Sequence, residues 1–374
     1  MNKKPIRILH IVSVMNLAGI ESFLMNIYRE IDRSKIQFDF LVTREEVGFY
    51  DKEILSLGGN IHNIPHVKKI GLKNFKKNVD VFFQENNQYS IVHCHMNTWA
   101  GFFLPIAKKN KIPIRIAHSH IADFKINSNN IFQFLYKKYN SLFIKRNSTH
   151  FFACSEKAGD WLFGEKNREV QIINNSIDAI KFSFNENIAN KLRKEFGISK
   201  DTFVIGNIGR FNVQKNHIFL IDIFKEVFLK KPDTILCLVG EGELQAEIIA
   251  KVEKEGLSAH VKFLGVRSDI NKLMMMFDTF LFPSLFEGFG IVALEAQAAG
   301  LKTIASDVLP IEVKITDYIS FISLNQSPEF WASEVLKYSN GYNRRNTYNE
   351  ILNAGFDIKN NSRKLEEFYS NCIY

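Results

Sequence analysis

Between Pro283 and Leu301 the chain reads PSLFEGFGIVALEAQAAGL, and the residue types there suit the binding of a phosphorylated ligand. The apolar run Thr279–Phe282 leads into a loop holding Glu287, Gly288 and Gly290. An Ala-rich run of strong helix formers follows to Gly300, a residue type that ends helices. Two glycines at the mouth of a helix let backbone N–H groups approach a phosphate, which the positive end of the helix favours. Glu295 falls in the second helical turn, roughly 7–8 Å beyond the mouth at ~1.5 Å per residue. That is about the reach of a diphosphate, so Glu287 and Glu295 could hold hydroxyls at its two ends, one set on a sugar and one on a ribose. Two other readings compete. Gly288-Phe-Gly290-Ile-Val-Ala293, with Asp307 beyond it, fits the loose dinucleotide fingerprint G-x-G-x-x-A. Several residues separate that strand from its glycines, however, and Glu287 would set a negative charge beside a bare pyrophosphate. The remaining reading is a buried helix with two incidental glutamates.

Further candidates lie where other apolar runs end. Asn16-Leu-Ala-Gly19-Ile-Glu21 leads into a helical stretch, with Gly19 the residue best able to approach a ligand. Gly209-Arg210-Phe-Asn-Val-Gln-Lys215-Asn places two cations five residues apart in a loop. Arg offers a planar fork and Lys a point charge, and both could reach one diphosphate. Gly240-Glu-Gly242 and Gly265-Val266-Arg267 end two more runs, and Ser155 follows another as a helix cap or a site residue. His93-Cys-His95 and His118-Ser-His120 each put two imidazoles on one face of a strand, because side chains alternate with period two. Such pairs could build a zinc or binuclear hydrolase site, with Asp123 the nearest carboxylate. That reading leaves Arg210, Lys215 and the glutamate pair unexplained.

These positions need strands to carry them, and the chain supplies strands in a regular grammar. RILHIVSV, FDFLVT, NIHNIP, SIVHCH, IRIAHSH, HFFACS and VQIINNSI alternate with helical stretches near 21–31, 51–57, 73–86, 131–146 and from Glu156. The pattern restarts with FVIGNIGR, TILCLVGEG, VKFLGV, DTFLFPS and KTIAS, separated by helices after Asn216, from Glu243 and over 290–299. Such alternation predicts α/β architecture with two doubly wound parallel sheets in series and a joint near 178–190. Ligands of open parallel sheets bind at the carboxyl ends of the strands, so two facing sheets imply a cleft between domains.

Composition narrows the class. At 374 residues the chain can hold two cores, and 46% hydrophobic with 24% charged residues is ordinary globular composition. No apolar run approaches the roughly 18 residues of a membrane span. The opening MNKKPIRILHIVSVMN has lysines before an apolar run, but it lacks a small-residue cleavage site and continues into a first strand and turn. Cys94, Cys154, Cys237 and Cys372 are scattered, which argues against a disulfide framework and suits a cytoplasmic location. The net charge of +8 is uneven: residues 1–186 carry 26 Lys+Arg against 17 Asp+Glu, whereas residues 187–374 carry 22 against 23. Lys68, Lys69, Lys73, Lys76 and Lys77, and the aromatic stretch 131–146 with Lys137, Lys138, Lys145 and Arg146, supply much of the excess. They read as solvated helix faces or as contacts with an anionic membrane surface. No nucleic-acid-binding motif is recognisable.

Glu287-x7-Glu295 around a glycine loop resembles the donor-binding motif of the retaining family 4 glycosyltransferases, which have the GT-B fold. Gly19, His118, Arg210 with Lys215, and the glutamate pair follow in that family's order over nearly the whole chain, with Ala18 where the family has its first loop glycine. The resemblance implies an acceptor-side domain over 1–183, completed by a C-terminal helix at 360–374, and a nucleotide-sugar domain over 184–359. It implies that Arg210, Lys215 and the helix mouth at Phe289, Gly290, Ile291 and Val292 neutralise the leaving diphosphate without a metal. Glu287 and the amides of Phe289 and Gly290 would hold the sugar, and Glu295 the ribose. Gly240 and Arg267 would lie near the nucleotide, His118 beside the transferred sugar, and His95, Asn97 and His120 on the acceptor side. The implied activity moves a hexosyl group from a nucleotide-diphosphate sugar, UDP-linked for preference, to a glycan or lipid-linked acceptor in envelope polysaccharide synthesis. A metal-dependent hydrolase on His93, His95, His118 and His120, a noncatalytic nucleotide-sugar sensor, and an epimerase or phosphorylase of the same fold are the alternatives.

Overall fold

The computed structural model describes residues 4–120, 131–164 and 169–372. The chain forms two compact units, one running to Ser176 and resuming at Gly355, the other spanning Ile177–Ala354. The first joint thus precedes the 183/184 boundary read from the sequence. Helix Ala179–Phe182 packs on helices Ile270–Met276 and Ile291–Ala298, which places it in the second unit.

In the first unit seven strands form one parallel sheet: β1 (Ile6–Val12), β2 (Ile36–Val42), β3 (Ile61–Asn63), β4 (Ile91–Cys94), β5 (Ile114–Ser119), β6 (His150–Ala153) and β7 (Val170–Ile172), in the order β3-β2-β1-β4-β5-β6-β7. Both faces are covered, which is why the strands read as nearly continuous apolar runs. On one face Ile8, Phe38, Phe40, Ile116 and Phe152 meet Phe23, Leu24 and Tyr28 of helix Gly19–Glu30, together with Ile358, Leu365 and Tyr369 of helix Ile358–Asn371. On the other, Leu9, Ile11 and Val92 meet Phe75 of helix Val67–Glu85 and Phe103 and Leu104 of helix Ala100–Lys109. Helix Val67–Glu85 begins ahead of the expected residue 73, and Gly71 breaks it with φ 75°.

The second unit carries six parallel strands: β8 (Phe203–Ile208), β9 (Thr234–Val239), β10 (Val261–Phe263), β11 (Thr279–Phe282), β12 (Lys302–Ser306) and β13 (Ile319–Ile322), in the order β10-β9-β8-β11-β12-β13. Ile205, Leu236, Leu281 and Ile304 pack with Leu220 and Phe224 of helix His217–Lys230 and with Trp331 of helix Pro328–Leu336. The sequence reading did not anticipate β13. It has four residues and is joined to β12 through a single 3-10 turn, Ile311–Val313, rather than a full helix. Each sheet reverses its order beside its first strand, between β1 and β4 and between β8 and β11. Loops leaving neighbouring strands diverge there and open a place for ligand.

Candidate functional site

At the second sheet's reversal, the loop after β8 supplies Lys215 and the loop after β11 supplies Glu287. Lys215 Nζ lies 2.6 Å from Glu287 Oε1, with side chains 14% and 8% exposed. The lysine stem runs beside Gly209, where an added Cβ would stand 3.1 Å from Lys215 Cγ. The ammonium also lies 4.6 Å from the centroid of the Phe282 ring, a favourable contact for a cation. Asn212 accepts a hydrogen bond from the Lys215 amide, and Gln214 Nε2 donates to Phe286 O at 3.0 Å and to Glu287 Oε2 at 3.3 Å. Gln214 was not singled out in the sequence, because a lone loop glutamine carries no signal until its partner is known. Arg210 stands apart: its guanidinium is exposed and meets Glu243 at 3.2 Å.

Gly290 caps helix Ile291–Ala298 in the left-handed region, with φ 83°. Among the described residues the amides of Ile291 and Val292 donate to no other group, as expected for the first turn of a helix. Glu295, on the second turn, is partly buried, and its carboxyl group makes no hydrogen bond or ion pair among the described residues. Burial pushes its carboxyl up to about 8. Gly288 and the buried Phe289 complete the loop.

The remaining candidates have these surroundings. Gly240 has φ 131°, and a Cβ there would stand 2.1 Å from Gly209 O, so this glycine lets two loops pack backbone to backbone. The Arg267 side chain closes on both carboxylate oxygens of Asp269, at 2.8 and 2.7 Å. Ser155 caps helix Glu156–Phe163 by accepting from the Ala158 amide. In the first unit, Ala18 is extended (φ −141°) and unstrained although it replaces a glycine. A Cβ on Gly19 would meet nothing within 4 Å, so the mouth of that helix is open. Glu21 is buried in its first turn, and burial pushes its carboxyl up to about 7.

The two histidine pairs become a cluster of five, because β1 adds His10 directly opposite His93. All five are buried. His10 Nδ1 bonds His95 Nε2 at 3.0 Å, and His95 Nδ1 bonds His120 Nε2 at 2.8 Å. Separately, Tyr369 Oη bonds His93 Nδ1 at 2.7 Å, and His93 Nε2 bonds His118 Nδ1 at 3.1 Å. Burial drives His10 and His120 down to about 3; His93, His95 and His118 lie well below the usual imidazole range through burial and mutual repulsion. Asn97 adopts φ 47° and spends its Oδ1 on the His120 amide at 2.9 Å, so it shapes the strand ends. Ligand atoms of His10, His93 and His95, and of His95, His118 and His120, approach within 4.8 Å of one another, as a metal site would require. Both ring nitrogens of His93 and of His95 are already bonded, so a metal would have to displace those bonds. Asp123 lies outside the described residues.

Two doubly wound parallel α/β sheets in series are the architecture of the GT-B glycosyltransferases. Residues 17–180 match the family described as Glycosyltransferase Family 4, and residues 189–352 match Glycosyl transferases group 1. EpsF of Bacillus subtilis (strain 168), named as a glycosyltransferase, is 35% identical over 99% of this chain and 98% of its own. The chain belongs to glycosyltransferase family 4. The CapH capsular polysaccharide biosynthesis glycosyltransferase of Staphylococcus aureus is 25% identical over 97% of this chain and 98% of its own. The Escherichia coli UDP-Gal:alpha-D-GlcNAc-diphosphoundecaprenol alpha-1,3-galactosyltransferase is 24% identical over 81% of each chain. Among solved structures, Anabaena Alr3699/HepE in complex with UDP and glucose superposes with a TM-score of 0.77 at 19% identity, over 97% of this chain and 99% of that one.

The two loop glycines should behave oppositely. Gly240→Ala forces a Cβ onto a carbonyl oxygen and is expected to cost about 1–3 kcal/mol in urea unfolding. Gly19→Ala enters open space and should stay within about 0.5 kcal/mol of the parent chain. Equal losses at both positions would contradict this account of the loops.

Proposed function

We propose that the chain is a retaining, metal-independent hexosyltransferase that uses a nucleotide-diphosphate sugar, UDP-linked for preference, in the synthesis of an envelope polysaccharide. The observation that carries this reading is the Lys215–Glu287 pair in the loops leading to helix Ile291–Ala298, whose first two amides donate to no other group among the described residues. Lys215 and the amides of Ile291 and Val292 offer positive charge to a diphosphate, and Arg210 is exposed on the neighbouring loop to join them. Glu287 accepts from hydroxyls of the sugar, and the unpaired carboxylate of Glu295 accepts from a ribose. The bond from C1 of the sugar to the diphosphate breaks while C1 bonds the acceptor oxygen on the same face. The acceptor proton passes to the departing phosphate. His118 positions the transferred sugar and is not a nucleophile. The names of the relatives support a UDP-linked donor and a capsular or lipid-linked acceptor, and the UDP and glucose bound to a protein of the same fold support the donor class.

Thermal shift against UDP-, GDP-, ADP- and dTDP-sugars, with and without EDTA, tests the donor. We expect the melting temperature to rise with one nucleotide and to ignore EDTA. A fall in that response with EDTA would return attention to the histidines and a metal. His118→Ala, Lys215→Ala and Glu287→Ala should each lower turnover by roughly 10²-fold or more with folding intact. Rates like the parent's in all three would remove the site assignment.

Glu295 adds a pH signature. Its acid form dominates below about 8, and hydroxyl donors favour the carboxylate, so binding must expel a proton below that pH. Donor affinity is therefore expected to rise from pH 6.5 to 8.5, by roughly tenfold for one unit of pKa change on binding. Glu295→Gln should flatten the titration, and an equally steep profile in that variant would exclude the role.

Among the described residues, no helix is long and apolar enough to cross a membrane. Helix Ile131–Asn147 instead exposes Leu135, Tyr139 and Leu142 at helical spacing beside Lys138, Lys145 and Arg146. This combination suits peripheral contact with an anionic cytoplasmic leaflet that presents a lipid-linked acceptor. The protein should float with phosphatidylglycerol vesicles at low salt, and a triple Leu135→Ser, Tyr139→Ser, Leu142→Ser variant should not. Failure of the parent protein to float would overturn the membrane contact.

A further inference from the structure

Gln214 lies in the 3-10 turn Val213–Lys215, and that turn is laced to the segment carrying Glu287. Leu285 N donates to Gln214 O at 2.8 Å, Lys215 Nζ meets Glu287 Oε1 at 2.6 Å, and Asn216 Nδ2 donates to Pro283 O at 3.1 Å. Three consecutive residues thus hold one short stretch, so turn and segment move as one body.

The neighbours of the Gln214 side chain settle which way its amide points. Phe286 O is a carbonyl oxygen and Glu287 presents a carboxylate, and both groups only accept. The Gln214 nitrogen must therefore face them, with one N–H toward each, at 3.0 and 3.3 Å. The flipped amide would set its oxygen against two other acceptors. Both amide hydrogens are spent here, and the side chain is uncharged, so Gln214 has little to offer a diphosphate.

Its effect falls on Glu287. Lys215 takes Oε1 and Gln214 takes Oε2, so the two bonds lie on different oxygens. A carboxylate held at one oxygen can still swing about that contact. Held at both, by adjacent residues of one turn, its plane is fixed. An ionised carboxylate has about four lone-pair sites, so one stays open on each oxygen. Those open sites lie in the fixed plane, and a hydroxyl must approach them along set directions. The Glu287 side chain keeps 8% of its surface exposed, so it is not sealed from a ligand.

We propose that Gln214 is a positioning residue for the donor sugar: by fixing the plane of the Glu287 carboxylate, it makes the site discriminate between hexoses that differ in the orientation of a hydroxyl. The proposal rests on the role given to Glu287 above and adds the residue that aims it.

Isothermal titration of the full-length protein with UDP-glucose, UDP-galactose, UDP-N-acetylglucosamine and UDP tests this. Gln214→Met keeps the length of the side chain and removes both donors, whereas Gln214→Glu keeps its shape and opposes Glu287 with acceptors. We expect each variant to weaken the tightest of the three sugar nucleotides roughly tenfold, the worth of one hydrogen bond to a charged group. The three affinities should draw together, while UDP, which lacks the sugar, binds as it does to the parent protein. An equal loss for UDP and for the sugar nucleotides would mean that the turn has merely collapsed, and would overturn the proposal. Affinities and preferences like the parent's in both variants would overturn it too. The crystal structure of unliganded Gln214→Met should show the Glu287 carboxylate turned out of its parent plane, and an unmoved carboxylate would remove the clamp. A parent protein that binds none of the four compounds would remove the UDP-sugar reading, and this use of Gln214 with it, while the crystal structure would still show whether the residue fixes the carboxylate.

Discussion

Lys215 and Glu287 are joined across the gap left where the second sheet reverses its strand order, and the geometry around them follows from that pairing. Each side chain is almost wholly out of water, and a buried charge without its partner is among the costlier defects a fold can carry. The pair therefore ties the loop after β8 to the loop after β11. Gln214 reinforces the tie by bonding the same carboxylate, while Leu285 N donates to Gln214 O at 2.8 Å. Gly209 makes room for the lysine stem, and Gly240 makes room for Gly209. A phosphorylated ligand would thus meet a cation already held in place, beside a helix whose first amides are unspent.

The first unit solves a different problem in the same kind of sheet. Strands covered on both faces are normally apolar throughout, yet five imidazoles lie inside this one. They persist because they stay uncharged and bond to each other and to a phenol, so little hydrogen-bonding capacity is wasted. The three nitrogens left over, on His10, His118 and His120, sit at the ends of these two chains.

The fold was largely legible because short apolar strand runs and helical patterns alternate so regularly along both halves of the chain. β13 escaped because it is short and lacks a preceding helix. In the site, Lys215 and Glu287 could be read from their spacing to glycines. Gln214 could not, since its meaning depends on a residue 73 positions away. His10 looked like one polar interruption in RILHIVSV, and Tyr369 like the apolar face of a terminal helix. Their partners are 85 and 276 residues distant, beyond what local pattern can convey. The close approach of Gly240 to Gly209 was equally hidden, since it joins loops 31 residues apart, whereas the Arg267–Asp269 pair is local.

Helix Ile358–Asn371 contributes Ile358, Leu365 and Tyr369 to a core whose other members all precede residue 177. The ribosome must therefore make the whole second unit before the first can close. Through that interval helix Gly19–Glu30 can cover its share of the sheet, but the share that Ile358, Leu365 and Tyr369 cover, with His93 in it, stays open to water. Domains usually fold in order of synthesis; here the first unit to emerge is the last to be finished.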